Sequence, residues 1–295
     1  MEIVDGQIHT WEVKPSYPWL PPPASPNLVP VPNAVSAMPY ESALAAMEAV
    51  GVDAAVLYGS SSYRELLPDG VVRYHNGYAE EAVAKHPDRF RAIAHVDHRE
   101  RDLDERVAEL RRRPGIVALR EVFREADLPA LRAGAYTPLF ASAARHGLPL
   151  FIYLSGYLED ALPIAARHEN LRLIIDHFGL LQPPLRRPDS PPFKRLPDLL
   201  ALARYPNVAV KVCGAPTLSR EGYPYRDVWP HLRQVVDAFS PGRLLWASDF
   251  TRCAPVHTYA DAVSFLRHTN QLSEAEKEQL LGGTIRTLLR WPRPG

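Results

Sequence analysis

Two cysteines in 295 residues, Cys213 and Cys253, are too few for a disulfide framework, so a reducing cytoplasm is the expected compartment. Charge of one sign is not in excess: 34 Lys and Arg stand against 34 Asp and Glu. Composition therefore points away from nucleic acid and from an acidic membrane surface, and leaves a small-molecule partner open. No apolar run is long enough to span a bilayer. The first residues enter an apolar strand at once, without the basic and apolar segments of a secretory signal. No Gly-x-Gly-x-x-Gly follows that strand, which counts against a dinucleotide-binding sheet. No low-complexity block or linker divides residues 1–295, so a single domain is expected.

What is present is alternation. Short apolar runs follow one another at Glu2–Ile8, Asp53–Tyr58, Arg91–His95, Gly115–Arg120, Pro149–Leu154, Leu171–Asp176, Val208–Val212 and Arg243–Ala247, each followed by a helix-like stretch. Eight strand–helix units in series predict parallel strands with right-handed crossovers, and a count of eight favours a closed (β/α)8 TIM barrel over an open sheet. Ser273–Leu281 and Thr284–Leu289 read as extra C-terminal helices, the first opened by a capping box at Ser273. In such a barrel the active site lies at the carboxyl ends of the strands. The residues there include Gln7, His9, His95, His98, Arg120, Glu121, Tyr153, Ser155, His177, Cys213, Asp249 and Arg252.

The first strand ends Asp5-Gly6-Gln7-Ile8-His9. Side chains two apart share a face of a strand, so Asp5, Gln7 and His9 are expected on one side. A His-x-His pair here would read as two metal ligands; Gln7 leaves half of one, because a carboxamide is a weak zinc ligand. Residues 12–39 then form a long Pro-rich loop carrying Trp19, and a second Tyr/Pro-rich segment carries Tyr225 after strand seven. Both are expected as walls or lids over a substrate, or as a homodimer contact. Arg120 and Arg252 suit a substrate carboxylate, with an ion pair to Glu121 or another barrel acid as the plain alternative. Tyr153 offers a phenol donor or core packing, and Cys213 reads as a small buried residue. His95 and His98 read as loop residues rather than as a second metal site.

Several segments carry a family resemblance: Asp5-Gly6-Gln7-Ile8-His9, His86-Pro87-Asp88-Arg89-Phe90, Ile174-Ile175-Asp176-His177-Phe178-Gly179, Asn207–Gly214 and Leu245-Trp246-Ala247-Ser248-Asp249-Phe250. In order and spacing the chain resembles the amidohydrolase-related barrel hydrolases, the branch that includes aminocarboxymuconate-semialdehyde decarboxylase, pyrone-dicarboxylate lactonase and L-fuconolactonase. Metal-binding members have two histidines on strand one, a histidine after strand five and an aspartate on strand eight. Here Gln7 stands at the first position, and Phe151–Gly156 has no histidine. The resemblance therefore implies a hydrolase that opens a lactone or similar cyclic ester or amide without an obligatory metal. Asp249 would be the general base on water, with His177, His9 and Gln7 polarising the carbonyl of a carboxylate or aromatic ring compound. Two alternatives stand beside it. One is a metal-dependent non-oxidative decarboxylase or amidohydrolase with zinc on His9, His177 and Asp249. The other is a barrel that binds ligand without catalysis.

Overall fold

The computed structural model describes residues 1–12, 18, 37–59, 63–184, 186–254 and 256–293. The described residues form ten strands: β1 (Val4–Thr10), β2 (Ala54–Gly59), β3 (Arg64–Leu66), β4 (Val72–Tyr74), β5 (Phe90–Ala94), β6 (Ile116–Val122), β7 (Leu150–Tyr153), β8 (Leu173–Ile175), β9 (Val208–Cys213) and β10 (Leu244–Ala247). Eight of them form one sheet in the order β1-β2-β5-β6-β7-β8-β9-β10, each paired in parallel with the next. The remaining two, β3 and β4, make an antiparallel hairpin on the loop after β2 that the apolar pattern did not announce. Helices on the outside connect consecutive strands, among them Tyr40–Val50, Gly77–Lys85, Leu103–Arg112, Thr137–His146 and Trp229–Phe239, and Tyr259–Arg267 follows the last strand.

Two apolar layers follow from strand alternation. One side of the strands packs against the helices through Ile8, Leu57, Leu119, Ile152, Ile175 and Trp246. The other fills the barrel, with Val4, Val56, Ile93, Phe151, Ile174 and Leu245 in one cluster. Ile285, Leu288, Leu289 and Trp291 join that inner cluster, so the last helix, Thr284–Leu288, plugs the barrel end opposite the site. Polar residues inside the barrel concentrate towards the carboxyl ends: Arg120, Asp176, Lys211 and Asp249 are all buried there. Among the described residues no helix is long and apolar enough to cross a membrane.

Candidate active site

The register of β1 decides which of its residues face the barrel. Asp5 pairs with Ala55 and Ile8 with Leu57, three steps against two, so β1 carries one extra residue at Gly6-Gln7. The bulge switches the alternation. Asp5 turns into the wall, where it accepts hydrogen bonds from Ser248 N (2.9 Å), Ser248 Oγ (2.5 Å) and Tyr259 OH (2.9 Å). The expectation that Asp5 shares a face with Gln7 and His9 is thus corrected. Burial pushes the Asp5 carboxyl up to about 6, against the pull of those bonds. Gly6 is required at the bulge because a Cβ there would lie 2.7 Å from Trp246 O and 2.9 Å from Leu245 Cδ1.

Gln7 and His9 are joined to a residue the sequence reading passed over. Lys211, mid-strand on β9, has no exposed surface. Its ammonium lies 2.7 Å from Asp176 Oδ1, donates to Tyr58 OH at 3.3 Å and donates to Gln7 Oε1. Its signal was a lone lysine in the run Val208-Ala209-Val210-Lys211-Val212, which no apolar strand tolerates without a partner. Because an ammonium only donates, it fixes the carboxamide of Gln7 with Oε1 towards Lys211 and the NH₂ towards His9. Gln7 Nε2 then donates to His9 Nε2 at 2.9 Å, which places the His9 proton on Nδ1. Burial, with Arg252, Arg120 and Lys211 nearby, holds the His9 imidazole well below its usual range, so it is neutral.

A second cluster closes the ends of β8, β9 and β10. His177 and Asp249 both take left-handed backbone, at φ 53° and 49°, as does Phe178 at 57°. Such residues cost on the order of 1–3 kcal/mol each and are held by their surroundings. His177 Nε2 lies 3.8 Å from Asp249 Oδ2, and His9 Nε2 lies 3.4 Å from Asp249 Oδ1. Gln182 donates through Nε2 to His177 O at 3.1 Å, which turns its Oε1 to His177 Nδ1 at 3.3 Å. His177 therefore carries its proton on Nδ1 and presents the Nε2 lone pair to Asp249. A donor role for His177 towards a substrate carbonyl does not fit this arrangement; an acceptor or ligand role does. Burial, with Lys211 close by, pushes His177 down to about 3. Burial raises Asp249 against the pull of Arg252, Lys211, Arg120 and the Gln7 carboxamide, and its Oδ1 lies buried without a hydrogen-bond donor in bonding geometry. Cys213 joins the cluster: His177, Cys213 and Asp249 each offer a ligand atom, all within 4.8 Å of one another. Burial raises the Cys213 thiol well above its usual range.

The other sequence-predicted residues distribute around this centre. Arg120 Nε pairs with Asp176 Oδ2 at 2.8 Å rather than with Glu121, and its guanidinium lies over Tyr58. Arg252, from the short helix Phe250–Cys253, approaches His9 Nδ1 at 3.5 Å. Tyr153 meets the His177 ring edge-on at 5.8 Å between centroids. Tyr225 does not join the site: it is buried in the outer layer against Phe265 and Tyr223. Trp19 lies outside the described residues. His98 stacks on Tyr136 at 3.7 Å and His95 packs on Tyr74, and with Glu121 all four line a cavity of about 380 Å³ beside the ends of β5 and β6. Burial pushes the Glu121 carboxyl up to about 8.

Fold and site together define an eight-stranded barrel enzyme scaffold whose centre is a buried carboxylate flanked by two neutral imidazoles. The chain belongs to the amidohydrolase family, whose sequence profile matches residues 4–291. Among curated relatives, 4-sulfomuconolactone hydrolase of Hydrogenophaga intermedia is 42% identical over 77 residues, covering 26% of this chain and 24% of that protein. L-fucono-1,5-lactonase of Burkholderia multivorans is 32% identical over 148 residues, covering 46% of this chain and 49% of that protein. The chain thus spans about a quarter and about half the length of these two relatives. A crystal structure of an amidohydrolase from Burkholderia multivorans with bound zinc matches in fold over 99% of this chain and 100% of the other, at TM-score 0.76 and 22% identity.

Proposed function

We propose that this chain is a lactonase-like hydrolase, opening a lactone or similarly activated cyclic ester by attack of water. The observation that carries the reading is the buried Asp249 carboxylate, with Oδ1 free to accept and imidazoles on both sides. Asp249 takes the proton of the attacking water. His9 Nδ1–H and the Arg252 guanidinium are donors whose nitrogens lie 3.5 Å apart, so both need an acceptor. A carbonyl oxygen seated between them gains negative charge during attack, and one such donor is typically worth about 2.7–4 kcal/mol. The curated relatives that match are lactone hydrolases by name, which supports a lactone as the substrate class.

His177, Cys213 and Asp249 are also residue types that hold zinc. A bound ion would supply Lewis acidity and a hydroxide at neutral pH. The hydrolytic reading holds with that ion or without it, and activated rings need it least. The test is a panel of sugar lactones and carboxylated or sulfonated muconolactones. Asp249→Asn should lose about 10²–10⁴-fold in turnover of whichever lactone the native chain opens, the usual contribution of a general base. Full turnover by a folded Asp249→Asn protein would rule out the role.

A further inference from the structure

The two losses on the first and fifth strands have a counterpart on the three strands that lie between them. We propose that His177, Cys213 and Asp249 form a binding site for a divalent cation of the zinc class, in place of the strand-one residues. The three come from the carboxyl ends of consecutive barrel strands β8, β9 and β10, and their ligand atoms converge within 4.8 Å. Imidazole, thiolate and carboxylate are the donors zinc prefers, and three protein ligands leave an open position for water or substrate.

Three further observations point the same way. Gln182 fixes the tautomer of His177 by accepting at Nδ1, so the Nε2 lone pair faces the cluster. Metal-bound histidines are oriented by such an outer partner. Gly214, at φ 69°, makes room for that partner: a Cβ there would strike Gln182 Oε1. Asp249 Oδ1 is buried without a hydrogen bond, an acceptor left for a cation. Meanwhile Gln7 spends its oxygen on Lys211 and its NH₂ on His9 Nε2, so neither strand-one side chain offers a lone pair to the cluster. On binding, the Cys213 thiol releases its proton to solvent and ligates as thiolate.

The proposal is independent of the lactonase reading, because its readout is the ion and not turnover. Chelator-treated protein is titrated with cobalt(II) and followed by absorption. One equivalent should bind and give a near-ultraviolet thiolate-to-cobalt charge-transfer band. Cys213→Ser, checked for folding by thermal unfolding, should abolish that band. Gln182→Leu and Gly214→Ala should each weaken binding about 10–100-fold, the usual cost of losing an outer partner. His9→Asn should keep the band, because the thiolate that gives it is untouched. No uptake by the native chain, uptake without the band, or binding that survives Cys213→Ser but fails in His9→Asn would each overturn the site. If the band appears and no lactone is opened, only the functional reading fails.

Discussion

A lysine with no exposed surface keeps its charge only when acceptors surround it. Lys211 has Asp176, Gln7 and Tyr58, with the Tyr58 and Phe151 rings beneath its ammonium. Lys211→Met would leave Gln7 Oε1 without its donor and Asp176 with Arg120 alone. Removing one partner of a buried pair costs about 3–5 kcal/mol, and urea unfolding of Lys211→Met should show a loss of that order. Glu121 gives a second prediction at this scale. Its folded-state pKa of about 8 is raised by burial, so its contribution to stability is present below the ordinary glutamate value and is lost as pH rises through about 8. The thermal midpoint of the native chain should fall as pH rises from the ordinary glutamate range to about 8 and level off above it, and Glu121→Gln should flatten that fall. Asp249, His177, His9 and Gln7 were legible from sequence as residues at strand ends. Their protonation was not, because it depends on Gln182 and Lys211, which lie 5 and 204 positions from the residues they orient.

At the scale of elements, the seam between β10 and β1 carries the site. Asp249 N donates to Gln7 O at 3.2 Å, and the Asp5 carboxylate clasps Ser248. Gly6→Ala would push a methyl group against the Trp246 carbonyl and Leu245. Backbone cannot yield as a flexible side chain does, so a loss of about 1–3 kcal/mol is expected in denaturant unfolding. Metal uptake should fall with it, since Asp249 hangs from the same seam. Apolar periodicity located the eight barrel strands: the expected Asp53–Tyr58 is observed as Ala54–Gly59, and the expected Val208–Val212 as Val208–Cys213. It missed the β3–β4 hairpin, whose strands are three residues each and only partly buried. It also missed the β1 bulge, since periodicity assumes an unbroken alternation that one inserted residue reverses.

Across the whole molecule the barrel has two unlike ends. One is filled by Ile285, Leu288, Leu289 and Trp291 from the last helical segment, and the other holds the charged cluster. Arg286 stacks on Trp291 at 4.0 Å and pairs with Glu2 at 2.5 Å, tying the plug to the residues just before β1. Leu288→Ala should cost about 2–5 kcal/mol, measured by chemical unfolding, while cobalt binding at the far end keeps its native affinity in the folded protein. Extra C-terminal helices were expected from their capping and periodicity. Their destination inside the barrel was not, since a helical stripe shows that a face is buried without showing against what.

The contact between Lys211 and Gln7 also constrains which residue position 7 can hold. A histidine at position 7 would meet an ammonium with no oxygen to receive it. Placing two histidines on the first strand therefore takes coordinated change at positions 7 and 211. The pair is mutually dependent: the lysine is buried because the carboxamide receives it, and the carboxamide is oriented because the lysine donates to it.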